Sequence, residues 1–99
     1  MAVWLLAACA PQYIPAGNAD EAPYRDRDAL VMRDGKRLPV SVWQADGTPD
    51  AVLIALHSFG DFRLAFEDIG PALASRGYTV ITFDQRGFGD TAPHGRWSG

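Results

Sequence analysis

Ninety-nine residues, 47% of them hydrophobic and 11% aromatic, describe one small domain or part of one with a packed core, and they exclude a disordered chain. A formal charge of -3 leaves no basic excess, so nucleic acid is not expected as a partner. The single cysteine, Cys9, excludes an intrachain disulfide and a cysteine-based metal site, and the two histidines, His57 and His94, do not change that; no metal or other cofactor is expected.

Residues 1–9 open on an apolar octet, MAVWLLAA, too short to cross a bilayer and without the Lys or Arg that begins a secretory signal. The run Leu6-Ala7-Ala8-Cys9 resembles the lipobox of bacterial lipoproteins, in which cleavage before the cysteine exposes a thiol for lipidation. Two readings stand: a partial signal segment with Cys9 as the lipidation site, or a free cysteine in a frayed terminus. Lipidation would tether the chain to a membrane through Cys9, in the bacterial cell envelope; without it, a cytoplasmic location is expected. Residues 10–27, with Pro11, Pro15, Gly17, Asn18 and Pro23, have the composition of a flexible linker.

Residues 28–33 (DALVMR) and 37–43 (RLPVSVW) read as two strands joined by a tight turn at Asp34-Gly35, with Leu38, Val40 and Val42 on one face. Pro39, lacking an N–H, predicts a place near the sheet edge. After the loop DGTPD at 46–50, residues 51–56 (AVLIAL) are apolar without alternation, which predicts a strand covered on both faces in a parallel sheet. Its partner is 79–83 (TVITF), with room between them for one crossover helix. Phe62, Phe66, Ile69 and Leu73 form an apolar helical stripe expected to cover the sheet. Gly70-Pro71 interrupts it, predicting a kink or a short first turn before a helix that starts at Pro71; Gly77 ends that helix, with Arg76 in its last turn. This is a βαβ unit, and ligands of such sheets bind at the carboxyl ends of the strands, here HSFGD at 57–61 and DQRGFG at 84–89. Residues 90–99 have no periodicity, and there is no internal repeat.

Those two strand ends carry a family resemblance. His57-Ser58-Phe59 closes the first strand, Asp84-Gln85-Arg86-Gly87-Phe88-Gly89-Asp90-Thr91 follows the second, and a small-residue helix end, Leu73-Ala74-Ser75-Arg76-Gly77-Tyr78, lies between. In this order and spacing, residues 29–99 resemble the N-terminal part of the α/β-hydrolase fold, in its lysophospholipase, monoacylglycerol lipase and serine aminopeptidase S33-like group. There the strand ends read His-Gly-x and Asp-x-Arg-Gly-x-Gly-x-Ser. The resemblance implies an α/β fold of which residues 28–99 hold the N-terminal portion only, with about four strands and one crossover helix. Two positions depart from the pattern, Ser58 for glycine and Thr91 for serine. A backbone conformation that only glycine takes cheaply would leave the turn at Ser58 altered or strained.

By this resemblance the backbone N–H of Phe59 forms half of an oxyanion hole. His57, Ser58 and Gly60 shape that loop, His57 as a structural histidine and not as the catalytic base. Asp61 is expected to cap the following helix or to bind its first amides. Asp84, Arg86, Gly87 and Gly89 fix the second turn, with Asp84 and Arg86 read as paired charges there. Phe88 and Trp97 line an acyl pocket or belong to the core, and His94 is a surface or lid-proximal residue. No Gly-x-Ser-x-Gly elbow occurs, and Ser41, Ser58, Ser75 and Ser98 sit in no such frame. In the family the nucleophile, acid and histidine lie downstream, so the chain is expected to be an N-terminal fragment, inactive alone, of a serine hydrolase. The expected parent cleaves a carboxylic ester, of a lipid or lysophospholipid, through an acyl-enzyme. Two other readings share the scaffold: a non-catalytic envelope lipoprotein or binding module, and a dehalogenase or epoxide hydrolase with an Asp nucleophile. The residue at the elbow separates all three.

Overall fold

Short β-branched and aromatic runs separated by Gly, Pro and Asp favour strands and turns. The computed structural model describes residues 15–91 and folds five such runs into one mixed sheet. The strands are β1 (Tyr24–Arg25), β2 (Ala29–Val31), β3 (Arg37–Trp43), β4 (Ala51–Ala55) and β5 (Tyr78–Phe83), in spatial order β1-β2-β3-β5-β4. β1 falls inside the stretch read as a linker and pairs antiparallel with β2, Tyr24 opposite Val31. β2 and β3 make the expected hairpin, with Leu30 opposite Leu38. Its turn closes as Met32 N donates to Lys36 O and Gly35 N to Met32 O, both at 2.9 Å. Gly35 takes the left-handed backbone, φ +76°, that this turn requires. Ala29, Val31 and Leu38 are buried around it.

β3 changes partners along its length: Arg37, Leu38 and Pro39 pair with β2, while Val40 to Trp43 pair antiparallel with β5. Pro39 therefore lies inside the sheet, not near its edge as expected. Its carbonyl accepts from Asp84 N at 3.0 Å, just past the end of β5 at Phe83, so the missing N–H falls beyond the β5 ladder and removes no bond from it.

β4 and β5 run parallel, with Leu53 beside Val80 and Ile54 beside Ile81, so their carboxyl ends share one edge of the sheet. The crossover is shorter and more broken than the apolar stripe suggested. A 3-10 turn at Arg63–Phe66 precedes α1, which spans only Ile69–Ala74. Pro71 sits in the first turn of α1, where an N–H has no helical partner. Because Phe62 is extended (φ -159°) and the two helical pieces are separate, the stripe does not form one face, and Phe62 and Ile69 are exposed. The buried residue of α1 is Gly70, and a Cβ there would overlap the Trp43 indole. Glycine is what lets the helix approach β3. α1 ends with Ser75 as its C-cap, so Arg76 lies beyond the last turn; Gly77 (φ +95°) turns the chain back, accepting from Asp50 N at 2.8 Å.

Registers place Ala51, Leu53 and Ala55 on the same face as Val80, Thr82 and Trp43, the face that α1 covers. On the other face Val52 and Ile54 are 55% and 68% exposed. β4 is expected to be covered on both faces; among the described residues Val52 and Ile54 stay exposed, because α1 lies on the face of Trp43.

Candidate active site at the ends of β4 and β5

His57 follows β4 and is buried, and Gln85 follows β5. The backbone N–H of Gln85 donates to His57 Nε2 at 2.9 Å, and the Gln85 side-chain Nε2 donates to His57 O at 2.7 Å. An N–H can only donate, so His57 Nε2 is the acceptor and its Nδ1 carries the proton, which it gives to Ser58 O at 2.9 Å. Both ring nitrogens are thereby engaged with backbone. The imidazole has no lone pair left for a substrate proton.

The loop after His57 is a tight turn. Asp61 N donates to Ser58 O at 3.1 Å, which makes Phe59 and Gly60 its two central residues, and Gly60 has φ +79°. Positive φ at the third position is the type II requirement, and glycine meets it there. Ser58 is not in the left-handed region, since no non-glycine residue among those described is. The strain expected at Ser58 is absent because the glycine-dependent position is two residues later. Among the described residues, no acceptor takes the amide N–H of Phe59. Its side chain is 90% exposed, and its ring meets the Phe88 ring edge to face at 5.3 Å between centroids. Phe88 in turn packs edge to face on His57 at 5.5 Å. Asp61 accepts from Phe62 N at 2.9 Å but does not cap the 3-10 turn.

Asp84 is completely buried. Its Oδ1 accepts from Arg63 N at 2.7 Å, its Oδ2 from Asp90 N at 2.9 Å, and the Arg63 guanidinium closes on Oδ2 as an ion pair. One carboxylate thus caps the 3-10 turn from a distance and holds the loop after β5. Burial works against the Arg63 charge, but Asp90, at 3.0 Å, and Asp84 outweigh it and hold its pKa above the ordinary arginine value. Gly89 (φ +54°) packs directly on the carboxylate, and a Cβ there would overlap it. Gly87, also buried, has φ +83°. The buried Thr91 hydroxyl completes the turn, lying 2.9 Å from Gln85 O and 2.7 Å from Phe88 O and accepting from Phe88 N at 3.0 Å. Threonine supplies the same hydroxyl as serine would.

Arg86 does not pair with Asp84. It reaches back to the β2–β3 turn, where its Nη1 and Nη2 grip Asp34 Oδ2 and Oδ1 at 2.7 and 2.6 Å. This fork holds the Asp34 carboxyl far below the usual carboxylate range against the opposing effect of burial, with the Lys36 and Gly17 amides adding to it. The expectation that Asp84 and Arg86 are paired charges within one turn is corrected: each is satisfied by a residue outside it. Two buried polar atoms nearby, Arg63 Nε and Thr82 Oγ1, have no partner among the described residues.

Sequence reading therefore named the two loops and missed the residues that lock them, Gln85, Arg63 and Asp34. Arg63 carried a signal, a charge set between Phe62 and Phe66 in an apolar stripe; Asp34 was noticed only as a turn former. Cys9, His94, Trp97 and Ser98 lie outside the described residues. Among those described, no group of three or more His, Cys, Asp or Glu is placed to hold a metal ion, and no helix is long and apolar enough to cross a membrane.

A parallel βαβ unit with a His-led turn after one strand and an Asp-anchored glycine turn after the next defines this as part of an α/β-hydrolase fold. Solved structures agree at the level of fold. A lipase in an open form superposes with a TM-score of 0.55 at 24% identity, covering 71% of this chain and 21% of that one. A soluble variant of the Saccharomyces cerevisiae monoglyceride lipase, bound to a substrate analog, superposes with a TM-score of 0.51 at 22% identity, covering 91% and 24%. The serine aminopeptidase S33 family model matches residues 47–99, and the chain belongs to that family. Human monoglyceride lipase is 29% identical over 77 residues, which is 78% of this chain, and the mouse protein is 27% identical over the same length. The chain spans about 25% of the length of these curated relatives.

Proposed function

We propose that these residues are the oxyanion-loop part of a serine hydrolase that cleaves carboxylic esters of lipids, monoacylglycerols or lysophospholipids among them, through an acyl-enzyme. The observation that carries this is the Phe59 N–H: it sits in a type II turn clamped by His57 at the end of β4 and meets no acceptor among the described residues. Family membership and the monoglyceride lipase relatives supply the chemistry. When a serine oxygen adds to the ester carbonyl, the displaced electron pair settles on the carbonyl oxygen, and the Phe59 N–H donates to that charge. The C–O bond to the alcohol then breaks, and water releases the acid from the acyl-enzyme. A fixed amide donor of this kind contributes about 3 kcal/mol to the transition state. His57, Ser58 and Gly60 hold the donor in place; Asp84, Arg86, Gly87 and Gly89 hold the neighbouring loop. On this reading the nucleophile, acid and base come from sequence beyond Gly99, and residues 1–99 alone do not turn over ester. Lipidation at Cys9, on the Leu6–Cys9 pattern, would tether the enzyme to the bacterial envelope; palmitate labelling of wild type but not of Cys9→Ala is the expected outcome.

The reading is tested in the frame extended past Gly99. A Gly-x-Ser-x-Gly elbow followed by Asp and His, with turnover of monoacylglycerol, is expected. There, Phe59→Pro removes the N–H at a turn position that proline favours, and is expected to lower kcat by about a hundredfold or more, while Phe59→Ala keeps the donor. Equal kcat in the two variants, or a frame with no nucleophile, overturns it.

A further inference from the structure

The turn that presents the Phe59 N–H is anchored on both sides to the loop after β5. Before it, His57 is bonded to Gln85 through its imidazole and through its carbonyl. After it, Arg63 is held by main chain and side chain together. Its backbone N–H donates to Asp84 Oδ1 at 2.7 Å, and its Nη1 forms ion pairs with Asp84 Oδ2 and, at 3.0 Å, with Asp90 Oδ2. Between the anchors the hydrogen bonds are local: Ser58 O accepts from Asp61 N and His57 Nδ1, and Asp61 Oδ1 accepts from Phe62 N. Local bonds give a turn its shape, but the direction in which it points comes from what holds its two ends.

Resting on the oxyanion reading above, we infer that Arg63 is a positioning residue for acyl transfer: tied to Asp84 and Asp90, it fixes the far end of the turn and so aims the Phe59 N–H. Its guanidinium faces two carboxylates, so it acts through the turn and not on the ester. The two arginines of the site are used differently. Arg86 grips Asp34 with two nitrogens, as a fork, whereas both ion pairs of Arg63 run through the single atom Nη1. Arg63 Nε is buried and has no partner among the described residues. What this position uses is therefore a cation on a long stem, and an ammonium, a compact charge with three donors, supplies that without the unpaired N–H.

The test is a double-mutant cycle in the frame extended past Gly99, with monoacylglycerol as substrate. Arg63→Gln is expected to lower kcat about tenfold or more with KM unchanged, the cost of a misaimed donor. Arg63→Lys, which puts a methylene where Nε lies and its ammonium one bond short of Nη1, restores most of that loss. In Phe59→Pro, which has no N–H to aim, adding Arg63→Gln is expected to cost less than about twofold. A loss of equal size with and without the Phe59 N–H, or a change in KM alone, overturns the inference and leaves the oxyanion reading standing. Should Arg63→Gln fail to fold, Asp90→Asn carries the same cycle, because it keeps the buried Asp84 pair and removes the second hold on Nη1. Its loss of about threefold, the weight of one solvent-facing ion pair, is likewise expected to vanish in Phe59→Pro, and its persistence there overturns the inference. If Phe59→Pro turns over as fast as Phe59→Ala, or the frame holds no nucleophile, the oxyanion reading falls and takes the inference with it.

Discussion

Gln85 and His57 exchange two hydrogen bonds across 28 positions of sequence, one from the Gln85 backbone to the imidazole and one from its side chain to the His57 carbonyl. These bonds weld the ends of β4 and β5 into a single unit, so the geometry of the turn that presents the Phe59 N–H depends on the loop after the neighbouring strand.

His57→Ala is accordingly expected to act on stability first. It strands the part-buried Gln85 N–H and removes the ring beneath Phe88, a loss of about 1–3 kcal/mol in urea unfolding. A variant that melts like wild type would mean the clamp contributes nothing.

Asp84→Ala is expected to cost more, about 3 kcal/mol, because it leaves the Arg63 guanidinium poorly exposed with, among the described residues, Asp90 alone to balance it. Gly89→Ala should destabilise through the same carboxylate, by overlap and by its positive φ. The two changes together should cost less than the sum of the singles, which a double-mutant cycle in denaturant measures.

The Asp34–Arg86 fork gives a pH signature. Asp34 has its folded pKa depressed from an ordinary 3.8, so the unfolded chain binds the proton more readily and stability rises with pH. The contribution is fully present above the unfolded value and is lost as pH falls from there toward the lower folded value. Asp34→Asn should therefore melt below wild type at neutral pH, and the gap should close progressively below about pH 4. A gap that is constant with pH would show that the fork is not the source.

Thr82 offers the opposite case. Its hydroxyl is wholly buried with no partner among the described residues. Thr82→Val keeps the shape and the strand preference while removing the unpaired group, and is expected to raise the unfolding free energy by about 1 kcal/mol. A loss of stability would reveal a hydrogen bond to this hydroxyl.

What was legible in the sequence was local or periodic. The apolar runs of β4 and β5, the glycines at 35, 60, 77, 87 and 89 and their turns all follow from the chemistry of a few adjacent residues. Periodicity misled where it spanned a break: Phe62, Phe66, Ile69 and Leu73 keep helical spacing, yet Phe62 is extended and the helix begins only at Ile69. Pro39 misled because strand β3 trades one neighbour for another at that residue, which nothing nearby in the chain announces. The partners of Asp84 and Arg86 were hidden for a related reason. Charge complementarity names candidates, but only the sheet order brings Arg63 and Asp34 to them.

The Asp34–Arg86 fork joins points 52 residues apart, from the tip of the first hairpin to the loop after the last described strand. It is a mechanical coupling as much as a thermodynamic one. A pull on the N-terminal side peels β1 and β2 from the rim of the sheet and reaches Arg86 through Asp34 before it loads the ladder between β3 and β5. Tension on the leading segment would thus be delivered to the glycine turn beside Phe88 while the parallel strands that frame it are still zipped.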